Sequence, residues 1–265
     1  MISKLTSLLK KYSIFPKKKL GQHFLINNNI LNKELEIAGI QKNDIVLEIG
    51  AGPGVLTEEL AKKAKKVFAI EKDEEYANLL KKELINYDNI EIIHFDALKI
   101  EWPKANKIVS NIPYKISSKI MDKLSKYEFE LAVICFQKEF AERLCAIAND
   151  KNYSKLSVFS NYYFEVKKLI KVNADSFYPK PKVYSQIVEI KKSKKLEIKN
   201  ESEFFEFIKA IFCYKRKSLK NAIAYAQKTL KKEIDLNKTN ATLLEKKVVS
   251  FDLNTLIDVY ESILK

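Results

Sequence analysis

A chain of 265 residues with 46% apolar content is long enough for one large domain or two modest ones around a buried core, the make-up of an ordinary soluble globular protein. With 48 Lys and Arg against 34 Asp and Glu, its formal charge of +14 points to a polyanionic partner such as nucleic acid, and less to an anionic membrane surface. No apolar run approaches the roughly 18 residues that span a bilayer, which argues against a transmembrane helix.

The opening stretch MISKLTSLLKKYSIFPKKK has neither the apolar centre of a signal peptide nor the arginines of a transit peptide, so a cytoplasmic protein is expected. From residue 40 to 140 short β-branched runs alternate with helical patterns, the signature of a parallel sheet with crossover helices. Strands are expected at 45–49, 67–70, 90–95, 107–110 and 131–136. Between the first two, VLTEELAKKAKK sets Leu56, Leu60 and Ala64 on one helical face and puts Lys65 and Lys66 at its C-terminal end. EEYANLLKKEL, with Tyr76, Leu80 and Leu84, supplies the next crossover. Further strands are expected at 155–163, 166–172 and 186–191, the last two joined closely enough to run antiparallel. Cys135, Cys145 and Cys213 are odd in number and lack metal-ligand spacing, so they read as reduced core thiols and no metal is expected.

At KKSKKLEIKN, residues 191–200, the pattern turns to a lysine-rich linker followed only by helices, which predicts a domain over 1–192 and a small helical domain over 193–265. Asn200 can cap a helix with Glu203 as capping-box partner, and Phe204, Phe205, Ile208, Ile211 and Phe212 form its apolar face. Helical spacing explains those aromatics as core better than as a base-stacking platform. Only Arg143 and Arg216 are arginines, so drift toward lysine contributes to the charge.

Three of the five glycines fall in EIGAGPG, as Gly50, Gly52 and Gly54, after the first strand and ahead of a helix. A bland turn needs one glycine or two, and this clustering marks a loop that a ligand approaches closely. The spacing differs from that of dinucleotide enzymes, and the helix lacks the Lys-Ser/Thr that serves a triphosphate. Glu71 ends the second strand, where a carboxylate can accept from both ribose hydroxyls, and Asp96 ends the third, where it can accept from an adenine amino group. Either acid alone is more simply a solvated strand end; jointly with the loop they outline an adenosine site.

The combination KKKLGQHFL (17–25), LEIGAGPGVLT (47–57), Glu71, FDAL (95–98), SNIPY (110–114), FYPKPKVYS (177–185) and FCYKRKSLKNA (212–222) resembles the ribosomal RNA adenine N6,N6-dimethyltransferases, the KsgA and Dim group of class I S-adenosylmethionine-dependent methyltransferases. The resemblance implies an α/β, Rossmann-like fold with a seven-stranded, mostly parallel sheet and a small all-α C-terminal domain. It implies S-adenosylmethionine as cofactor, held by His23, Leu25, Gly50, Gly52, Glu71, Asp96 and Asn111. The substrate would be two adjacent adenosines in the 3′-terminal helix loop of small-subunit (16S) rRNA, met by a monomer on a pre-ribosomal particle.

The chemistry of NIPY suits that role. An aromatic amine is a poor nucleophile because its lone pair is delocalised; accepting both of its N–H bonds, at the Asn111 side-chain oxygen and the Ile112 carbonyl, frees the lone pair for a methyl group. Pro113 biases Ile112 toward an extended backbone, and Tyr114 can stack on the flipped base. The resemblance places Phe177 on the base's other side, and His23 and Leu25 against the cofactor. Lys215, Arg216, Lys217 and Lys220 suit phosphate contacts, although a solvated helix face explains such a run about as well. Rival readings are an Erm-type methyltransferase of large-subunit rRNA, a non-catalytic RNA-binding assembly factor of the same fold, and, disfavoured by loop spacing, a nicotinamide dehydrogenase.

Overall fold

A computed structural model describes residues 2–193, 196–230 and 234–263. The chain divides into two compact units, Met1–Ala141 with Lys167–Lys192, and Glu142–Val166 with Ser193–Lys265. The boundary expected at 192/193 is where the chain enters the second unit for good. Residues 142–166, expected in the first domain, belong to the second as well.

The sheet has seven strands, β1 (Ile45–Ile49), β2 (Lys66–Glu71), β3 (Ile90–His94), β4 (Lys107–Ser110), β5 (Leu131–Gln137), β6 (Phe164–Val172) and β7 (Ser185–Lys192), all in the first unit except Phe164–Val166 of β6. Their spatial order is β3-β2-β1-β4-β5-β7-β6. The first five run parallel, with Ile49 opposite Ile70, Leu47 opposite Ile108 and Ser110 opposite Ile134, while β7 runs antiparallel to β5. Consecutive strands step outward from β1 to β3, and the chain then returns to place β4 on the other side of β1. That reversal opens a crevice beyond the carboxyl ends of β1 and β4, where the loops of an open α/β sheet hold ligands.

Apolar runs bury β1, β4 and β5 on both faces, as a covered parallel sheet requires. Val46, Val67, Val109, Val133 and Ile187 pack with Leu31, Leu35 and Ala38 of the helix Asn28–Ala38 and with Leu56 and Leu60 of Val55–Ala61. This second helix stops at Ala61, short of the expected Lys65 and Lys66, and Lys66 opens β2 instead. Leu5, Leu9 and Ile14 of the N-terminal segment pack on Tyr76 and Leu79, and the Lys11 ammonium and Tyr12 hydroxyl both donate to Glu83 at 2.6 Å.

In the second unit the strand expected over 155–163 is a helix, Lys155–Tyr163. Its first turn is closed by the Ser154 N–H donating to Ser157 Oγ (3.0 Å). Its buried positions include Ser157 and Ser160, so serine occupies the helical stripe and hides the 3.6-residue period from a count of apolar residues. Its core joins Tyr153, Phe204, Phe207, Ile208, Ile211, Leu219, Ile223 and Tyr260, and Asn200 caps Glu201–Ile211 through the Glu203 N–H (3.1 Å). Cys135 is buried, but Cys213, expected in the core, is exposed.

Candidate active site

A cavity of about 240 Å3 lies at the crevice, and it gathers Gly50, Gly52, Glu71, Asp96, Asn111, Ile112, Pro113, Tyr114, His23 and Phe177 from six separate segments. Leu25 lies in an adjoining smaller hollow with Glu48, Pro53 and Asn111. The glycine loop follows from β1 running straight into the helix Val55–Ala61. Gly52 has φ +53, and a Cβ there would come within 2.6 Å of the Phe24 ring, so its bare backbone serves the protein's own packing as well as any ligand's approach.

Glu71 ends β2 with both oxygens on backbone: Oε2 accepts the Gly52 N–H (2.8 Å) and Oε1 the Asp73 N–H (2.7 Å). The carboxylate therefore sets the shape of the loop, and burial raises its pKa against those two bonds. Each oxygen retains a lone pair for a hydroxyl guest. Asp96 differs in surroundings: Lys72 donates to Oδ2 at 2.8 Å and holds its carboxyl below the usual range, and Oδ1 accepts the Leu98 N–H at 3.0 Å. Beside it Phe95 is 49% exposed, an apolar face at the cavity that the sequence reading did not single out.

At the tip of β4, Ser110 Oγ accepts the Ile49 N–H (2.8 Å) and ties the loop Asn111–Tyr114 to β1. The buried Ile112 side chain anchors it further. Asn111 Nδ2 donates to Glu34 Oε2 at 3.1 Å, while Asn111 Oδ1 is buried with no hydrogen-bond partner. A buried amide oxygen left open in this way is uncommon and calls for a donor from a guest. Glu34 escaped the sequence reading although a signal existed: it interrupts the apolar face Leu31, Leu35, Ala38 of its helix.

The far wall is made by pairing Phe24–Leu25 with Phe177–Tyr178, Leu25 opposite Phe177. This short ladder fixes His23, whose Nδ1 lies 2.6 Å from the Pro179 carbonyl and whose ring stacks on Tyr114 at 5.9 Å. Tyr114 Oη is 2.6 Å from Ser185 Oγ on β7. Phe177, expected to stack on the target base, lines the cavity and is 4% exposed, so little of its ring is open to a guest.

In the second unit Arg216, Lys217 and Lys220 are exposed. Lys215 departs from the expected phosphate set, because its ammonium is turned onto the Tyr153 carbonyl, and burial, then Arg216 and Arg143, lower its pKa. The chain's two arginines therefore both act on one lysine, and Arg143 was not in the expected phosphate set. Tyr214 stacks on Tyr225 at 4.9 Å, both exposed, while Leu219 is core.

These residues fit an adenosyl sulfonium amino acid. The lining offers what such a molecule needs: bare glycine backbone, a Glu71 carboxylate with spare lone pairs, an apolar Phe95 face beside Asp96 and an Asn111 amide oxygen without a partner. The profile of the family described as ribosomal RNA adenine dimethylase matches residues 16–260. A probable ribosomal RNA small subunit methyltransferase A of Pyrococcus abyssi is 46% identical over 223 residues, covering 84% of this chain and 81% of that protein. The crystal structure of a dimethyladenosine transferase from Plasmodium falciparum superimposes with a TM-score of 0.78 at 34% identity, covering 90% of this chain and 96% of that one. The 23S rRNA methyltransferase ErmE gives a TM-score of 0.69 at 26% identity, covering 91% and 99%.

Proposed function

This chain belongs to the ribosomal RNA adenine dimethylase family, and from that premise we propose how its residues divide the work of methyl transfer. The protein is an S-adenosylmethionine-dependent rRNA adenine N6,N6-dimethyltransferase of the small-subunit type. The large-subunit alternative is not favoured, since the small-subunit relatives are the more similar in sequence.

Bound S-adenosylmethionine supplies an activated methyl group on a sulfonium. Gly50, Gly52, Glu71 and Asp96 hold the cofactor, and His23 and Leu25 close over it. Asn111 Oδ1 and the Ile112 carbonyl accept the two N–H bonds of the target amine, so that its lone pair points toward the methyl. Tyr114 presents its ring to the base, and Phe177 bounds the pocket. In this assignment position and two acceptors carry the catalysis, with no strong base invoked. Arg216, Lys217 and Lys220 contact phosphate, with Lys215 and Arg143 behind them. The substrate is read as small-subunit rRNA within a pre-ribosomal particle, bound by a monomer in the cytoplasm.

The observation that carries this reading is that Asn111, whose Oδ1 is buried and unpartnered, lines the cavity that also holds the glycine loop. Incubation with labelled S-adenosylmethionine and, separately, with small and large subunits lacking the modification tests it, the label being mapped by nuclease digestion and mass spectrometry. Two adjacent N6,N6-dimethyladenosines in small-subunit rRNA are expected. Label on another base, or on the large subunit alone, contradicts it.

A further inference from the structure

Building on the acceptor role of Asn111, we infer that Glu34 is a positioning residue for methyl transfer: by accepting the Asn111 amide N–H it fixes the amide's oxygen end toward the cavity. An asparagine amide has two ends of nearly equal shape and opposite hydrogen-bonding sense. An amine presenting N–H is held only by the oxygen end; rotating the amide by half a turn sets donor against donor.

Among the described residues, the amide's partner is Glu34, with Nδ2 and Oε2 3.1 Å apart. An ionised carboxylate can only accept, so it is satisfied by the NH2 end and leaves the oxygen to the cavity. Glu34 has no evident structural reason to be where it is. It is fully buried on the apolar face of Asn28–Ala38, and its second oxygen Oε1 has no hydrogen-bond partner. A buried carboxyl with half its valence open costs stability that a leucine would not, which points to a task at its one satisfied oxygen.

The titratable groups of the sheet that feel Glu34 are Glu48 on β1 and the Cys135 thiol on β5. Lys107 of β4 is engaged elsewhere, at the Ala38 and Gly39 carbonyls (3.0 and 2.7 Å) and on Asp44 (2.9 Å). Among the described residues no cation is paired with Glu34, and burial pushes its carboxyl up to about 7, against the Asn111 bond. Once protonated, Glu34 carries an O–H that can pair with Asn111 Oδ1 and draw that oxygen out of the cavity. Transfer is therefore expected to slow as the carboxyl takes its proton.

Single-turnover methylation of unmodified small subunits at pH 6 to 9 tests the inference with wild type, Glu34→Gln, Glu34→Leu and Asn111→Ala. Each variant is checked by thermal melting and by calorimetric titration with S-adenosylhomocysteine. The wild-type rate should fall at least threefold from pH 8 to pH 6, and Glu34→Gln, which cannot titrate, should lack that limb. Glu34→Leu, with no partner for the amide, should be at least tenfold slower at pH 8. Both should bind S-adenosylhomocysteine within twofold of wild type. An unchanged acid limb in Glu34→Gln, or a wild-type rate in Glu34→Leu, overturns the role of Glu34. Near-normal turnover by Asn111→Ala overturns the acceptor assignment itself, so the two failures are told apart.

Discussion

At Tyr114 the hydroxyl and the ring serve different ends. Burial pushes the hydroxyl up to about 12, against its bond to Ser185 Oγ, so it stays neutral at working pH and cannot act as a base. Its contribution is one buried hydrogen bond, of the order of 1 kcal/mol of stability. Tyr114→Phe is accordingly expected to lower the melting temperature slightly and keep the transfer rate within a few-fold, whereas Tyr114→Ala, which removes the stacking face, should slow transfer at least tenfold in single-turnover assays. Gly52 makes the complementary case for backbone. A methyl at Gly52 would meet the Phe24 ring at 2.6 Å on a backbone at φ +53, displacing Phe24 or the loop that Glu71 holds. Gly52→Ala should therefore weaken S-adenosylhomocysteine binding at least tenfold, measured by calorimetry, while the far-ultraviolet circular dichroism keeps its native form.

Strand β1 carries its charge inside. Glu48 is buried, its Oε2 has no hydrogen-bond partner, and burial lifts its carboxyl to about 8, with Glu34 and Glu71 adding repulsion. The folded state thus holds this proton more tightly than the unfolded chain, whose carboxyl titrates near about 4.5. Stability is highest below that value and is lost as pH rises through about 8. Glu48→Gln should raise the melting temperature by several degrees at pH 8.5 and leave it unchanged at pH 4.5. The strand that bears this acid was plain in the sequence, as were the other four parallel ones, because IVLEI, VFAI and their like are β-branched runs with glycine or acid at the end. Residues 155–163 were not, because two buried serines broke the helical stripe and Phe159, Tyr162 and Tyr163 raised the strand tendency. In the site, the contributors that end a strand were legible. Ser185 was not, since a side chain that orients another is placed by tertiary packing; Glu34 left one trace, a charged position in the apolar stripe of its helix, which does not say what it orients.

The whole molecule carries +14, and the second unit places Arg216, Lys217 and Lys220 at its surface beside the Tyr214–Tyr225 stack. If these three cations neutralise phosphates, replacing all of them with alanine should make the log-log salt dependence of rRNA binding shallower by about 2 to 3, since each phosphate contact contributes a slope near 0.7 to 0.9. S-adenosylhomocysteine binding by that variant should not change, as the residues proposed to hold it all lie in the first unit; filter binding at several salt concentrations checks the first outcome and calorimetry the second. The account of the whole enzyme nonetheless comes down to one place, the tip of β4, where an amide oxygen and a peptide oxygen are read as gripping a purine amine opposite a sulfur-borne methyl. A crystal structure with sinefungin, whose amine stands where that methyl would be, tests this most directly. The amine is predicted to point at the mouth formed by Asn111 Oδ1 and the Ile112 carbonyl; a ligand lying elsewhere, or one whose amine faces away from that mouth, would contradict it.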